Sequence, residues 1–173
     1  MQLTDARDIA ADPATVWAAI LDPEVLKACV PGCQSLTGSV AEGFEAVVKQ
    51  KVGPVSATFT GVVRISDMVE GQSLRIAGEG KGGPAGFAKG GANVTLTPNE
   101  AGTRLAYEVE AHVGGKLAQL GSRIIDGFAK KLADDFFARF QEAVEGPAEP
   151  EPAAAGDGAE PAKKKGWFRR LVG

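Results

Sequence analysis

The N-terminal part of the chain combines a β-prone run with signals for two short helices. Residues 2–10 have the composition of a strand. The pairs Asp12-Pro13 and Asp22-Pro23 follow, and each places an N-capping carboxylate before a proline that fits the first helical turn. We therefore predict short helices over residues 13–21 and 23–29.

From residue 34 to residue 113 the β-prone runs are short and are separated by glycine-containing turns. The clearest run alternates apolar residues with Glu108, Glu110 and His112, which indicates a strand with one buried and one solvated face. The turns fall at Gly43, Gly53-Pro54, Gly71, Gly82-Gly83 and Gly102. This spacing predicts an antiparallel meander of six further strands.

After Gly114-Gly115 the apolar period changes to three or four residues. The stripe continues over about 30 residues and predicts one long amphipathic helix. Its members are Leu117, Leu120, Ile124, Phe128, Leu132, Phe136, Phe140 and Val144. Together the elements predict an α+β fold, in which a curved antiparallel sheet of about seven strands wraps around the long C-terminal helix, with two short helices after strand one.

A sheet that wraps a helix can enclose an apolar ligand cavity. The candidate lining residues are Trp17, Phe59, Val63, Phe87, Tyr107, Leu117, Leu120, Ile124 and Phe128. From periodicity alone the simpler interpretation is that these side chains fill the core. The many glycines favour strand bends, close sheet-to-helix approach or a mouth that opens. The Tyr107 hydroxyl either binds a ligand carbonyl or, as we favour, finds a partner at the sheet edge.

The composition divides the chain into three segments. Residues 1–145 are predicted to form one domain, with 14 basic and 18 acidic side chains. Residues 146–162 have the composition of a solvated Pro/Ala/Glu linker. Residues 163–173 add five bases and predict a basic amphipathic tail that contacts a membrane or a partner protein, rather than an idle tail. Its key residues are Lys163, Lys164, Lys165, Trp167, Phe168, Arg169, Arg170 and Leu171.

Composition and motifs favour a cytoplasmic, non-catalytic body. We find neither a signal peptide nor a membrane-spanning run. Cys29 and Cys33 are too few for a zinc site and are interpreted as reduced thiols, with a redox role less favoured. No nucleophile has a recognisable base, and Asp134 and Asp135 are assigned to a solvated helix face. The net acidic body disfavours nucleic-acid binding.

Five segments, taken in order, resemble one protein family. They read IAADPATVW, LDPEVLKACVPGC, KVGPVSATFTGVV, GFAKGGANVTL and VGGKLAQLGSRIIDGFAKKLADDFFARF. This series resembles the CoxG-type family of carbon monoxide dehydrogenase proteins, within the START-like (SRPBCC) helix-grip superfamily. The resemblance covers residues 1–145, and the order of CVPGC, KVGPV and GGKLAQLGSR is its most specific part.

The resemblance implies an accessory protein of a carbon monoxide dehydrogenase-type molybdenum hydroxylase, without catalytic groups or a covalent cofactor. It implies a hydrophobic small molecule in the helix-grip cavity, and we expect a respiratory quinone, menaquinone or ubiquinone. The expected location is the inner face of the cytoplasmic membrane, with peripheral contact through the tail. The alternatives are a recruitment adaptor without ligand and, less favoured, a START-like cyclase or hydrolase.

Overall fold

The computed structural model describes residues 1–145 as a seven-stranded antiparallel sheet with four helices. The strands are β1 (Gln2–Ile9), β2 (Cys33–Ser39), β3 (Gly43–Val52), β4 (Val55–Val69), β5 (Ser73–Lys81), β6 (Phe87–Pro98) and β7 (Thr103–Gly114), in the spatial order β1-β7-β6-β5-β4-β3-β2. The helices are α1 (Pro13–Ile20), α2 (Pro23–Cys29), α3 (Lys116–Gln119) and α4 (Ser122–Glu145). The predicted α+β class is confirmed. The predicted linker and tail lie outside the described residues.

Capping carboxylates begin the first two helices, as the sequence predicts. The Asp12 carboxylate accepts a hydrogen bond from the Thr15 N–H at 2.8 Å, and hydrogen bonding to Thr15 lowers the Asp12 pKa. The Asp22 carboxylate accepts from the Glu24 N–H at 2.9 Å. A proline follows each cap in the first helical turn, where its missing N–H costs nothing. These two helices pack against the large apolar cluster beside α4.

The C-terminal helix begins later than the apolar stripe predicts. A separate short helix, α3, comes first, and the chain then turns at Gly121, whose φ of +89° lies in the left-handed region. Helix α4 starts at Ser122, so its inward face includes Ile125, Phe137 and Phe140. Ile124, which the stripe places inward, is 40% exposed.

Two apolar clusters pack between the sheet and α4. The large cluster includes Ile9, Val16, Leu105, Phe137 and Phe140 and joins α1, the sheet and the C-terminal half of α4. The small cluster is formed by Val52, Leu117 and Ile125, with partly buried neighbours around them. The clusters therefore divide the interior along α4. We call the two ends of the molecule the α1 end and the α3 end.

Candidate functional site

The middle of the inner sheet face carries almost no side-chain volume. Two adjacent cross-strand rows on β4 to β7 contain glycine and alanine. We call them the small-residue floor, and its paired sets are Gly61–Gly80–Ala88 and Gly78–Gly90–Ala111. A Cβ atom built at Gly80 would meet only the Cβ of Phe59, at 3.8 Å, within the described part of the chain. The floor is thus open toward the interior.

Helix α4 runs over this floor from one apolar cluster to the other. Ile125 belongs to the small cluster and Phe137 to the large one, so the intervening turns face the glycine rows. Leu132 is half-buried on these turns and belongs to neither cluster. Because glycine contributes no side chain, the sheet and helix leave an apolar groove here. The groove is closed at the α1 end by the aromatic side chains of the large cluster.

Three loops meet where the groove reaches the α3 end. The β3–β4 turn approaches the α3–α4 junction, since a Cβ at Gly53 would lie 3.5 Å from Ile124 and 3.9 Å from Leu120. The loop of residues 82–86 lies beside β4, where Gly82 faces the Phe59 ring. A depression of about 580 Å³ separates this loop, the β4 strand and Lys116. We call this region the mouth of the groove.

The structure separates the predicted lining residues into several locations. Phe59, Leu117, Leu120 and Phe128 come together in or against the small cluster. Val63 pairs with Gly78 at the edge of the floor. These five residues therefore lie along the groove or at its mouth.

The other four predicted lining residues lie elsewhere. Trp17 and Tyr107 belong to the α1 end, where they pack in or against the large cluster. Phe87 is a correction: it pairs with Gly114 on the outer sheet face and is 39% exposed, because the strand alternation that places Ala88 inward turns Phe87 outward. Ile124 stands at the rim of the mouth rather than inside the groove.

A charged cluster that the sequence analysis missed joins β1 to α4. Arg7 donates to the Asp134 carboxylate at 2.6 Å and to the Tyr107 hydroxyl at 3.4 Å. The guanidinium also lies 5.1 Å from the centre of the Phe137 ring. Asp134 therefore does not lie on a merely solvated face, whereas Asp135 pairs with Lys131 within α4. The missed signal was the alternation of β1, which puts Arg7 on the same face as Ile9.

Replacing Asp134 with asparagine is expected to remove part of the acid sensitivity of folding. Hydrogen bonds from Arg7 and then Lys130 hold the Asp134 pKa below its usual value. A lowered folded-state pKa stabilises the fold above the ordinary Asp pKa, and this contribution is lost as pH falls through the folded pKa. Urea unfolding at neutral pH and at about pH 3 should show the variant losing stability only at neutral pH. An equal loss at both pH values would contradict this assignment.

Residues 6–145 match the model of the CoxG family, which is described as a constituent of carbon monoxide dehydrogenase. The chain belongs to the CoxG family. This membership confirms the family resemblance and indicates an accessory role beside carbon monoxide dehydrogenase. No curated protein sequence matches the chain significantly.

Solved structures support the helix-grip fold of this CoxG-family chain. A conserved protein from Geobacillus kaustophilus is 29% identical, with a TM-score of 0.78, covering 84% of this chain and 95% of its own. A protein from Chromobacterium violaceum has a TM-score of 0.62 at 19% identity, with coverage of 84% and 98%. A protein from Thermus thermophilus has a TM-score of 0.62 at 14% identity, with coverage of 84% and 97%. The latter two show the fold alone.

The reactive groups of this CoxG-family chain are dispersed within residues 1–145. Cys29 and Cys33 are free thiols, and burial raises the pKa of both, which disfavours the nucleophilic thiolate. No three His, Cys, Asp or Glu side chains in this segment are grouped to hold a metal ion. Likewise, no helix described here is long and apolar enough to cross a membrane. The groove is accordingly the candidate functional site.

Proposed function

We propose that the chain binds a respiratory quinone, menaquinone or ubiquinone, in the groove between the small-residue floor and α4. In this proposal the chain serves a carbon monoxide dehydrogenase-type molybdenum hydroxylase and links that enzyme to the cytoplasmic membrane. The observation that carries the proposal is the glycine and alanine floor between two apolar clusters. A ligand can occupy this space without displacing large side chains.

The physical chemistry of the groove fits a long apolar molecule. An isoprenoid chain is costly to expose to water, and burial contributes roughly 25 cal/mol per Å², so about 400 Å² would contribute about 10 kcal/mol. The side chains of Phe59, Leu120 and Phe128 offer apolar contacts where the groove meets the mouth. The Arg7 guanidinium stays away from the floor, because Asp134 and the Tyr107 hydroxyl hold it at the α1 end. Such a site needs no catalytic group.

The tail of residues 163–173 supplies the proposed membrane contact. Trp167 and Phe168 favour the headgroup boundary of a bilayer, and the five bases favour anionic lipid. Each base near an anionic leaflet is worth about 1 kcal/mol, so the segment would bind weakly and reversibly. Reversible contact suits a carrier that must leave the membrane to meet its enzyme.

The decisive experiment is chemical analysis of the protein as purified. The full chain is expressed in a quinone-producing host, purified, extracted with organic solvent and analysed by mass spectrometry. We expect quinone in an amount close to one molecule per chain. A matched preparation of the Gly80→Leu variant controls for quinone carried over from membranes. A folded wild-type protein with an empty extract would contradict the carrier function and favour an adaptor without ligand.

A further inference from the structure

Charge is segregated between the two ends of the folded body. Six exposed basic side chains surround the mouth at the α3 end, and we call them the basic rim. Its members are Lys49, Lys51, Lys81, Lys89, Lys116 and Arg123. Two exposed carboxylates, Glu79 and Asp126, lie among them. Within residues 1–145 none of the six rim side chains forms an ion pair.

Strand register and loop contacts fix the position of the rim. Lys51 pairs with Ser56 beside the β3–β4 turn, and Lys81 pairs with Phe87 beside the loop of residues 82–86. Lys116 borders the 580 Å³ depression at the mouth. A second depression of about 400 Å³ is bordered by Lys81, Phe87 and Lys89. The bases therefore converge from the sheet, the loop and the helices on one end of the molecule.

The opposite end carries exposed acidic side chains on six separate elements. They occupy the caps of α1 and α2, the turns β2–β3, β4–β5 and β6–β7, and the last residue of α4. In that order they are Asp12, Asp22, Glu42, Glu70, Glu100 and Glu145. The acidic net charge of the body thus conceals a strong electrostatic asymmetry along α4.

Two further features of the α3 end match an anionic lipid surface. Phe87 is 39% exposed and Ile124 is 40% exposed, and both lie among the rim bases. Exposed apolar side chains beside lysines are typical of protein surfaces that enter the headgroup region. Helix α4 also starts here without an acidic residue in its first turn, so the positive end of its dipole is uncompensated.

We infer that the basic rim is a second membrane-docking surface, which recognises anionic phospholipid headgroups and points the mouth of the groove at the bilayer. This inference rests on the proposed function, because docking in this orientation lets an apolar ligand pass between lipid and groove without crossing water. Repulsion of the α1 end from the same surface sets the orientation.

The length of the linker is compatible with simultaneous docking of rim and tail. Helix α4 has 24 residues and is about 36 Å long, and its last residue, Glu145, lies at the α1 end. The 17 residues of 146–162 can span up to about 56 Å when extended. The chain length between α4 and the tail is therefore sufficient to return the tail to the membrane side of the body.

The test is vesicle co-sedimentation of full-length proteins with phosphatidylglycerol-containing vesicles and with phosphatidylcholine vesicles. The rim variant combines Lys51→Glu, Lys81→Glu and Lys116→Glu. We expect it to bind the anionic vesicles at least tenfold more weakly than wild type, because each base contributes roughly fivefold near such a surface. The control with the same charge change away from the rim combines Arg64→Glu, Arg104→Glu and Arg139→Glu, and it should bind like wild type.

Hydrogen–deuterium exchange tests the orientation directly. Anionic vesicles should protect residues 81–89 and 116–124 and leave residues 67–73 and 97–103 unchanged. A Trp167→Ala/Phe168→Ala variant should lose tail affinity yet retain the rim protection at high vesicle concentration. Wild-type binding by the rim variant, or protection at the α1 end, would overturn the inference. Quinone retained by the purified rim variant would show that the carrier function stands apart from this docking surface.

Discussion

Replacing Gly80 with leucine is expected to abolish quinone retention while leaving the chain folded. Gly80 is at the centre of the small-residue floor, between Gly61 and Ala88. Its added Cβ would meet only the Cβ of Phe59 among the described residues, at an ordinary contact distance of 3.8 Å. The backbone therefore accepts the side chain without strain, and leucine suits a strand better than glycine does. The leucine side chain would occupy the groove that the ligand needs.

A matched control is available on the same strand. Ala77→Leu adds a similar apolar volume to the outer face of β5, where Ala77 borders a separate depression of about 470 Å³. Solvent extracts of the control should contain as much quinone as wild type, whereas those of Gly80→Leu should contain less than about a tenth of that amount, since overpacking a filled site typically costs at least 1.4 kcal/mol, or roughly tenfold. Urea unfolding of all three proteins checks that they are folded. Equal quinone in the three proteins would place the ligand outside the groove.

Much of the fold follows from local signals in the sequence. The Asp-Pro pairs specify where α1 and α2 begin, because capping and the proline φ angle depend on neighbouring residues alone. Alternation and glycine turns similarly indicate the strands of the meander. The helix-grip class then follows from the order of elements, and the family match over residues 6–145 supports it independently.

Other features depend on tertiary relations that a period does not contain. Gly121 can continue a helix or end it, and only the packing of α3 against the small cluster decides that it ends one. The resulting rotation exposes Ile124 and buries Ile125. The apolar stripe alone predicts the opposite for Ile124.

The site shows the same limit. The outward position of Phe87 depends on the register of β6 against β7. The Arg7–Asp134 pair joins residues 127 positions apart, so no local pattern reveals it. Both features become visible only when the sheet and α4 are assembled.

The two apolar clusters have different expected roles. The large cluster includes the fully buried side chains of Phe140, Ile9, Leu105 and Val16 and connects the sheet to three helices. The small cluster is mostly made of partly buried side chains beside glycine-containing loops. Local opening is easier where few apolar contacts and exposed loops meet. We therefore assign folding stability to the large cluster and ligand entry to the small one.

Replacing Phe140 with alanine tests this division and should destabilise the chain by about 3–5 kcal/mol. The Phe140 side chain is fully buried and stacks on Phe136 with ring centroids 5.7 Å apart, so truncation leaves a cavity that neighbouring rings cannot fill. Phe128→Ala, in the small cluster, should cost about 1–2 kcal/mol because its ring is already partly solvated. Urea unfolding of both variants gives the comparison. Similar losses would contradict the assignment, since a small cluster that stabilises the fold as strongly could not open cheaply to admit a ligand.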